Sequence, residues 1–329
     1  MKPLIPFFLL AGSALMAVAA EPFGRIERFD PALDHLLAPD AAMEKIADGI
    51  QWAEGPVWYH GALVFSDPPA NIARRWAPGD AKPAVFLQPS GWDAPAPGFR
   101  EPGSNGLAVD RQGRLLLCQD GARRIARYEN GRFVTLADRY DGKRFSSPND
   151  LAVRRNGDIY FTDPTYGLDR GNQSPLRELP FNGVYRLAAD GTVTLLIKDL
   201  TYPNGIAFSP DEQVLYVNVS DSADTRIMAY DVQADGSVSH GRRFFDASGP
   251  ELRGSRGVFD GLKVDRKGDL WTSAPGNGIV IVSPRGKLLG KLSTGVPTAN
   301  CAWGDDGSTL YITANHYILR LKTLTKGAD

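Results

Sequence analysis

An all-β, six-bladed propeller closed around a central channel is the fold class this sequence predicts, and three observations predict it. The first is a motif that recurs six times, beginning at Glu54 (EGPVWYHGALVFSD), Asn105 (NGLAVDRQGRLLLC), Asn149 (NDLAVRRNGDIYFTD), Asn204 (NGIAFSPDEQVLYVN), Asp260 (DGLKVDRKGDLWTS) and Asn300 (NCAWGDDGSTLYIT). Each copy reads as a short strand, a Gly- or Asp-containing turn and a second apolar strand. The second is the spacing: copies start about 40 to 56 residues apart, the length of chain that a four-stranded blade uses. The third is a further strand with its own turn after each copy, as in NIARRWAPGD, RRIARYENGR and GVYRLAADGT, which alternates apolar and polar residues as a half-buried antiparallel strand does.

Taken in order, residues 1–20 (MKPLIPFFLLAGSALMAVAA) carry Lys2, an apolar core and small residues at Ala17 and Ala19 before Glu21. This reads as a secretory signal peptide, so the mature protein is expected in the periplasm or outside the cell. Residues 21–329 read as one propeller domain with no linker and no second domain. Residues 31–47 are expected to hold a turn or two of helix ahead of the first blade. The six motifs then follow. The Pro- and Gly-rich stretch 88–103 (QPSGWDAPAPGFREPG) precedes the second of them and is expected to cross the channel mouth, either as a lid or as an ordinary surface loop.

The inner strand of each blade lines the channel, so residues entering it at equivalent positions ring one mouth. Those residues are Glu54, Asn105, Asn149, Asn204, Asp260 and Asn300. Asn-Gly and Asp-Gly pairs are good turn formers, which explains any one of the six alone. Six oxygen-bearing side chains at one motif position point to a shared role. Carboxylate and amide oxygens without His or Cys are ligands for a hard cation, and Ca2+ tolerates several neutral oxygens better than Mg2+ does. Ca2+ is therefore the expected ion, with Zn2+, Mg2+ and Mn2+ as alternatives, and a purely structural ion would use the same groups.

These residues resemble the SMP-30/gluconolactonase/LRE family, in particular its secreted bacterial gluconolactonase branch. The resemblance runs from about residue 25 to 322 and rests on EGPVW (54–58), SPND followed by YFTDPTYG (147–167), YPNGIAFSPD (202–211) and FDGLKVD (259–265). It implies a six-bladed propeller with a divalent ion held at Glu54, Asn149, Asn204 and Asp260. It also implies hydrolysis of a sugar lactone such as glucono-1,5-lactone to the aldonic acid. A cation can polarise the ester carbonyl while a carboxylate takes a proton from water. Asp260 is the expected base, with Asp150 and Asp163 as alternatives because a metal lowers the pKa of its own ligand. Asn105, Asn149 and Asn300 are expected to contact substrate.

The chain departs from the family where relatives carry Cys-Glu-His-Gly: it has Cys118-Gln119-Asp120-Gly121. If that strand end faces the substrate, Gln119 joins the substrate-binding set and specificity shifts. Hydrolysis of another lactone or of a phosphotriester, or a non-catalytic binding propeller with a structural ion, are the alternative functions. Lys and Arg number 37 against 38 Asp and Glu, with no basic run, so nucleic acid is not an expected partner; nor is a membrane. A small-molecule lactone is. Nothing sets an oligomeric state. There is no G-x-S-x-G elbow, no HExxH and no phosphate loop. Cys118 and Cys301 are expected to be buried free thiols.

Overall fold

The computed structural model describes residues 22–95 and 97–328; the signal-peptide expectation lies outside the described residues. Six antiparallel sheets surround one axis. The first four blades are sequential, each running from the axis outward: Glu54–Tyr59 to Ala84–Leu87, Ser104–Val109 to Arg132–Ala137, Leu151–Val153 to Val193–Ile197, and Pro203–Phe208 to Val238–Asp246. The fifth starts at Leu262–Val264 and ends at Leu288–Ser293, and the sixth runs from Asn300–Gly304 to Tyr317–Lys322.

The N-terminal segment closes the ring. Glu44–Ala47 pairs antiparallel with Tyr317–Lys322 and becomes the outer strand of blade six, while Arg25–Arg28 adds a fifth strand to blade five. Joining the first strand to the last blade leaves no gap in the circle, which a propeller needs to protect its strand edges. The turn of helix expected within 31–47 is present at its start. Only Pro31–His35 winds, as a 3-10 turn capped by Asp30, and the alternating residues that follow pair as a strand because an unpaired edge is waiting for them.

Apolar side chains fill the spaces between blades rather than one central core. Phe161 stacks on Tyr185 within blade three at 5.2 Å and meets Phe145, from the segment that links blades two and three, edge-on, and Trp271 meets Trp303 between blades five and six. Aromatic pairs in these geometries hold neighbouring blades at a fixed angle. Cys118 and Cys301 are both buried and unbonded, as expected. No described helix is long and apolar enough to cross a membrane.

Candidate functional site: a ring of oxygens at the covered mouth of the channel

In blades one, two, four and five the ring residue is followed by a glycine, which lets the next blade approach. A Cβ on Gly55 would lie 1.9 Å from the Asn105 carbonyl oxygen, and one on Gly261 would lie 1.9 Å from the Asn300 side chain. The contact is also a hydrogen bond in two places, where Gly106 N donates to Asn149 O (2.7 Å) and Gly205 N to Asp260 O (3.0 Å). Only a residue without a side chain fits there. Blades three and six depart from this rule, with Asp150 and Cys301 in the glycine position.

That departure puts a carboxylate beneath the ring. Asp150 Oδ2 lies 3.4 Å from Asn300 Nδ2 and 3.8 Å from Lys263 Nζ, and Asn300 Nδ2 is also 3.4 Å from Glu54 Oε2. Glu54, Asp150 and Asp260 thus act on one another, with the Asn204 amide on Asp260. All are buried except Asp260, which keeps partial access to solvent. Burial pushes every one of these carboxyls above the ordinary range, and their mutual repulsion pushes Glu54 and Asp260 further, Asp260 to about 8. One lysine among three carboxyls leaves the constellation short of positive charge, and a cation among the oxygens would supply it. The donor set fits a hard ion, since it holds carboxylate and amide oxygens with neither His nor Cys at ligating positions.

Backbone contacts fix the ring residues from behind. Asp260 N donates to Ser273 Oγ, Asn218 Nδ2 donates to Asp260 O (2.6 Å), and Asn300 exchanges hydrogen bonds with the Thr313 hydroxyl. The strand ends of the first three blades share another device. Asp67 accepts from Gln51 N and Trp52 N, and Asp163 accepts from Ser146 N and Ser147 N, in each case the two residues lying three and two positions before the ring residue. Gln119 occupies the equivalent place in blade two, where its amide donates to Ser90 O (2.7 Å) and accepts from Arg124.

Two expectations are corrected by this repeat. Asp163 is fully buried with both oxygens on backbone N–H groups, so it positions the loop that presents Asn149 instead of deprotonating water; burial holds its carboxyl at about 7. Gln119 is fully buried and spends its amide on the loop, so it does not reach substrate. Asn105, Asn149, Asn204 and Asn300 all stand in the ring, with Glu54 and Asp260.

The 88–103 segment does cover this mouth. Its neck is gripped by Asn71, which donates to Trp92 O and accepts from Gly91 N, and by Gln119. Its far end is laid on the third blade, with Arg100 N donating to Gly167 O (2.9 Å) and Asp169 N to Gly98 O (2.9 Å). Glu101 of this segment adds negative potential to Asp260 and Asp120. Asp120 went unassigned at the level of sequence. It is buried with neither carboxylate oxygen hydrogen-bonded, it faces Asn105, and its carboxyl is held well above the usual range, first by burial. The only sequence signal for it is the loss of the family's His at this position.

The sequence profile described as SMP-30/Gluconolactonase/LRE-like region matches residues 52–316, all six copies of the motif included. The chain belongs to that family. It is 42% identical to a gluconolactonase of Zymomonas mobilis over 97% of this chain and 92% of that protein. The structure of a gluconolactonase from Xanthomonas campestris superposes with a TM-score of 0.77 at 35% identity, covering 93% and 96% of the two chains. A calcium-binding regucalcin from Agrobacterium tumefaciens shares the fold at a TM-score of 0.66 and 19% identity, over 86% and 96%.

Proposed function

We propose that the covered mouth hydrolyses a sugar lactone such as glucono-1,5-lactone to the aldonic acid, with a divalent cation, Ca2+ first among the candidates, held by Glu54, Asn149, Asn204 and Asp260. The observation that carries this reading is that Glu54, Asp150 and Asp260 act on one another's charge beside the Asn204 and Asn300 amides, in a chain of the gluconolactonase family. The chain is an enzyme of the lactone-hydrolase type. Three carboxylates set against Lys263 leave two negative charges, which supports a divalent over a monovalent ion.

When bound, the ion would polarise the ester carbonyl and offset charge on its oxygen. The remaining steps belong to the chain. Asp260, the ring carboxylate with solvent access, takes a proton from water as the water oxygen adds to the carbonyl carbon. Collapse breaks the ring C–O bond, and the same proton passes to the departing alkoxide, leaving a hydroxy acid that ionises in solution. Asn105 and Asn300 offer amide groups to lactone hydroxyls, and the 88–103 segment keeps bulk water from the reacting carbon.

Hydrolysis of glucono-1,5-lactone followed by pH-stat, with the spontaneous rate subtracted, tests the reading. Activity should vanish on chelation, return with Ca2+ and fall by about 10²-fold or more in Asp260→Ala; Zn2+, Mg2+ and Mn2+ identify the preferred ion. No activity above background in protein shown to hold the ion rejects this substrate, and other lactones and phosphotriesters are then assayed in the same format. We also infer export to the periplasm or beyond, from the charge and apolar pattern of residues 1–20. N-terminal sequencing of the expressed protein should find a start at Glu21, and a start at Met1 in the cytosolic fraction overturns export.

A further inference from the structure

The same six inner strands that begin at the oxygen ring end at the other mouth of the channel, around a cavity of about 630 Å³. That volume lies in the range of about 300–1,000 Å³ usual for small-molecule sites. Its wall has two kinds of surface. Trp58, Phe208 and Trp303 line it, each only half-buried, together with Val57, Ala108 and Val153. Apolar rings left in contact with water at the bottom of a concave site favour an apolar occupant.

The second surface carries basic side chains, among which Lys263 is shared with Asp150 at 3.8 Å and Arg154 with Glu212 at 3.5 Å. Arg111, Lys263 and Arg266 line the cavity, and the Arg154 guanidinium sits 5.8 Å from the Phe208 ring. The lining acids have cations of their own outside the cavity: Asp110 binds Arg114 at 2.7 Å, Asp305 lies 3.5 Å from Lys322, and Asp306 lies 3.2 Å from Lys326. The lining arginines are less satisfied. Arg111 reaches Glu212 only at 3.9 Å, and the Arg266 side chain donates from Nε to Gly327 O with no acidic group within ion-pair distance among the described residues. A guanidinium with open donor positions beside an aromatic wall matches a carboxylate or sulfonate on a flat apolar body.

We propose that this opposite mouth is a second ligand site, separate from the oxygen ring, for a small organic anion with an apolar body. None of Glu54, Asn105, Asn149, Asn204, Asp260 and Asn300 lines this cavity. The probe is anilinonaphthalene sulfonate, read by its fluorescence rise and by quenching of tryptophan emission, with the chelated and the ion-loaded protein compared. Saturable one-to-one binding is expected in both. Benzoate should displace the probe and benzamide, of the same shape without charge, should not. The paired variant Arg111→Gln with Arg266→Gln should weaken binding by about tenfold or more, while lactone hydrolysis stays as in the parent. Asp260→Ala should bind the probe as the parent does. Absence of saturable binding up to about 1 mM overturns the proposal. So does equal affinity in the arginine variant, equal displacement by benzamide, or loss of binding in Asp260→Ala. The arginines are surface residues, and matching thermal unfolding of variant and parent separates a lost site from a lost fold.

Discussion

The two mouths of one channel are built from the two ends of the same six strands, and they differ in almost every physical property. At the ring end the strands start with Glu, Asn or Asp, the carboxyls are buried and pushed toward neutrality, and a loop lies across the opening. At the other end the same strands finish in Tyr, Val, Phe or Gly with Trp58 and Trp303 one residue before the end, the acids are paired with lysine or arginine, and the cavity is open to water. The comparison teaches that charge without compensation, more than the size of a hollow, marks where a cation and a reaction belong.

The largest expected effect tests that division directly. Asp260→Ala should lower lactone hydrolysis by about 10²–10⁴-fold, the range in which a positioned acid–base group contributes, and Glu54→Gln, which removes a charge from the proposed ion site, should lower it as well. Arg266→Gln, at the other mouth, should leave it within about twofold. Comparable losses from both ends, measured as kcat/KM, would break the contrast.

Next in size is close packing. Gly261→Ala places a methyl group 1.9 Å from the Asn300 amide, at a junction where blades five and six touch. Overpacking of this kind should cost about 3 kcal/mol, roughly 6 °C in Tm for a chain of this length. Gly295→Ala sharpens the point, because its Cβ meets nothing within 4 Å. Its left-handed backbone should still cost something, about 1 kcal/mol.

How much of this was legible follows from what repeats. The ring, the blades and the covering loop were readable because each rests on a pattern set by local chemistry: turn residues, alternation, and one oxygen-bearing side chain per copy. What the repeat does not contain stayed hidden. The strand Glu44–Ala47 is called into blade six by an edge about 270 residues away in sequence, so its own residues gave no sign of it. Asp163 and Gln119 looked chemical because carboxylates and amides near a site usually are; only the hydrogen bonds reveal that they brace loops, as Asp67 does. Asp150 was visible as an acid next to the ring, but its partnership with Lys263 depends on strands being brought together across the channel.

Smaller, and confined to the ring end, is a dependence of stability on pH. Unfolded carboxylates titrate near 4, whereas in the folded, chelated protein burial raises Glu54, Asp150 and Asp260, the last to about 8. Below about 4 both states hold the protons. Between these values the unfolded chain releases protons that the folded chain keeps, so stability should fall as pH rises from about 4 to about 8 and level off above. Divalent ion should flatten this slope, with its stabilising effect greatest at the alkaline end. Thermal unfolding in chelator and in Ca2+ at several pH values checks it, and a Tm that climbs with pH in chelator would mean that the ring carboxyls are compensated from within the chain.

The smallest effect concerns how firmly one mouth is covered. Gln119, held by Arg124 of its own blade, joins the end of a blade-two strand to the neck of the 88–103 segment through Ser90 O. In Gln119→Ala the loss of these buried contacts should loosen the cover without touching the reacting groups, at about 1–2 kcal/mol. KM for the lactone should rise several-fold with kcat changed less, and restoring the amide with Gln119→Asn, one methylene shorter, should recover only part of the loss. Because Asn71 grips the same neck from the first blade, Asn71→Ala should reproduce the KM effect, and the double variant should exceed either alone. A fall in kcat with KM unchanged would instead place Gln119 at the chemistry, returning to it the substrate role that its burial argues against.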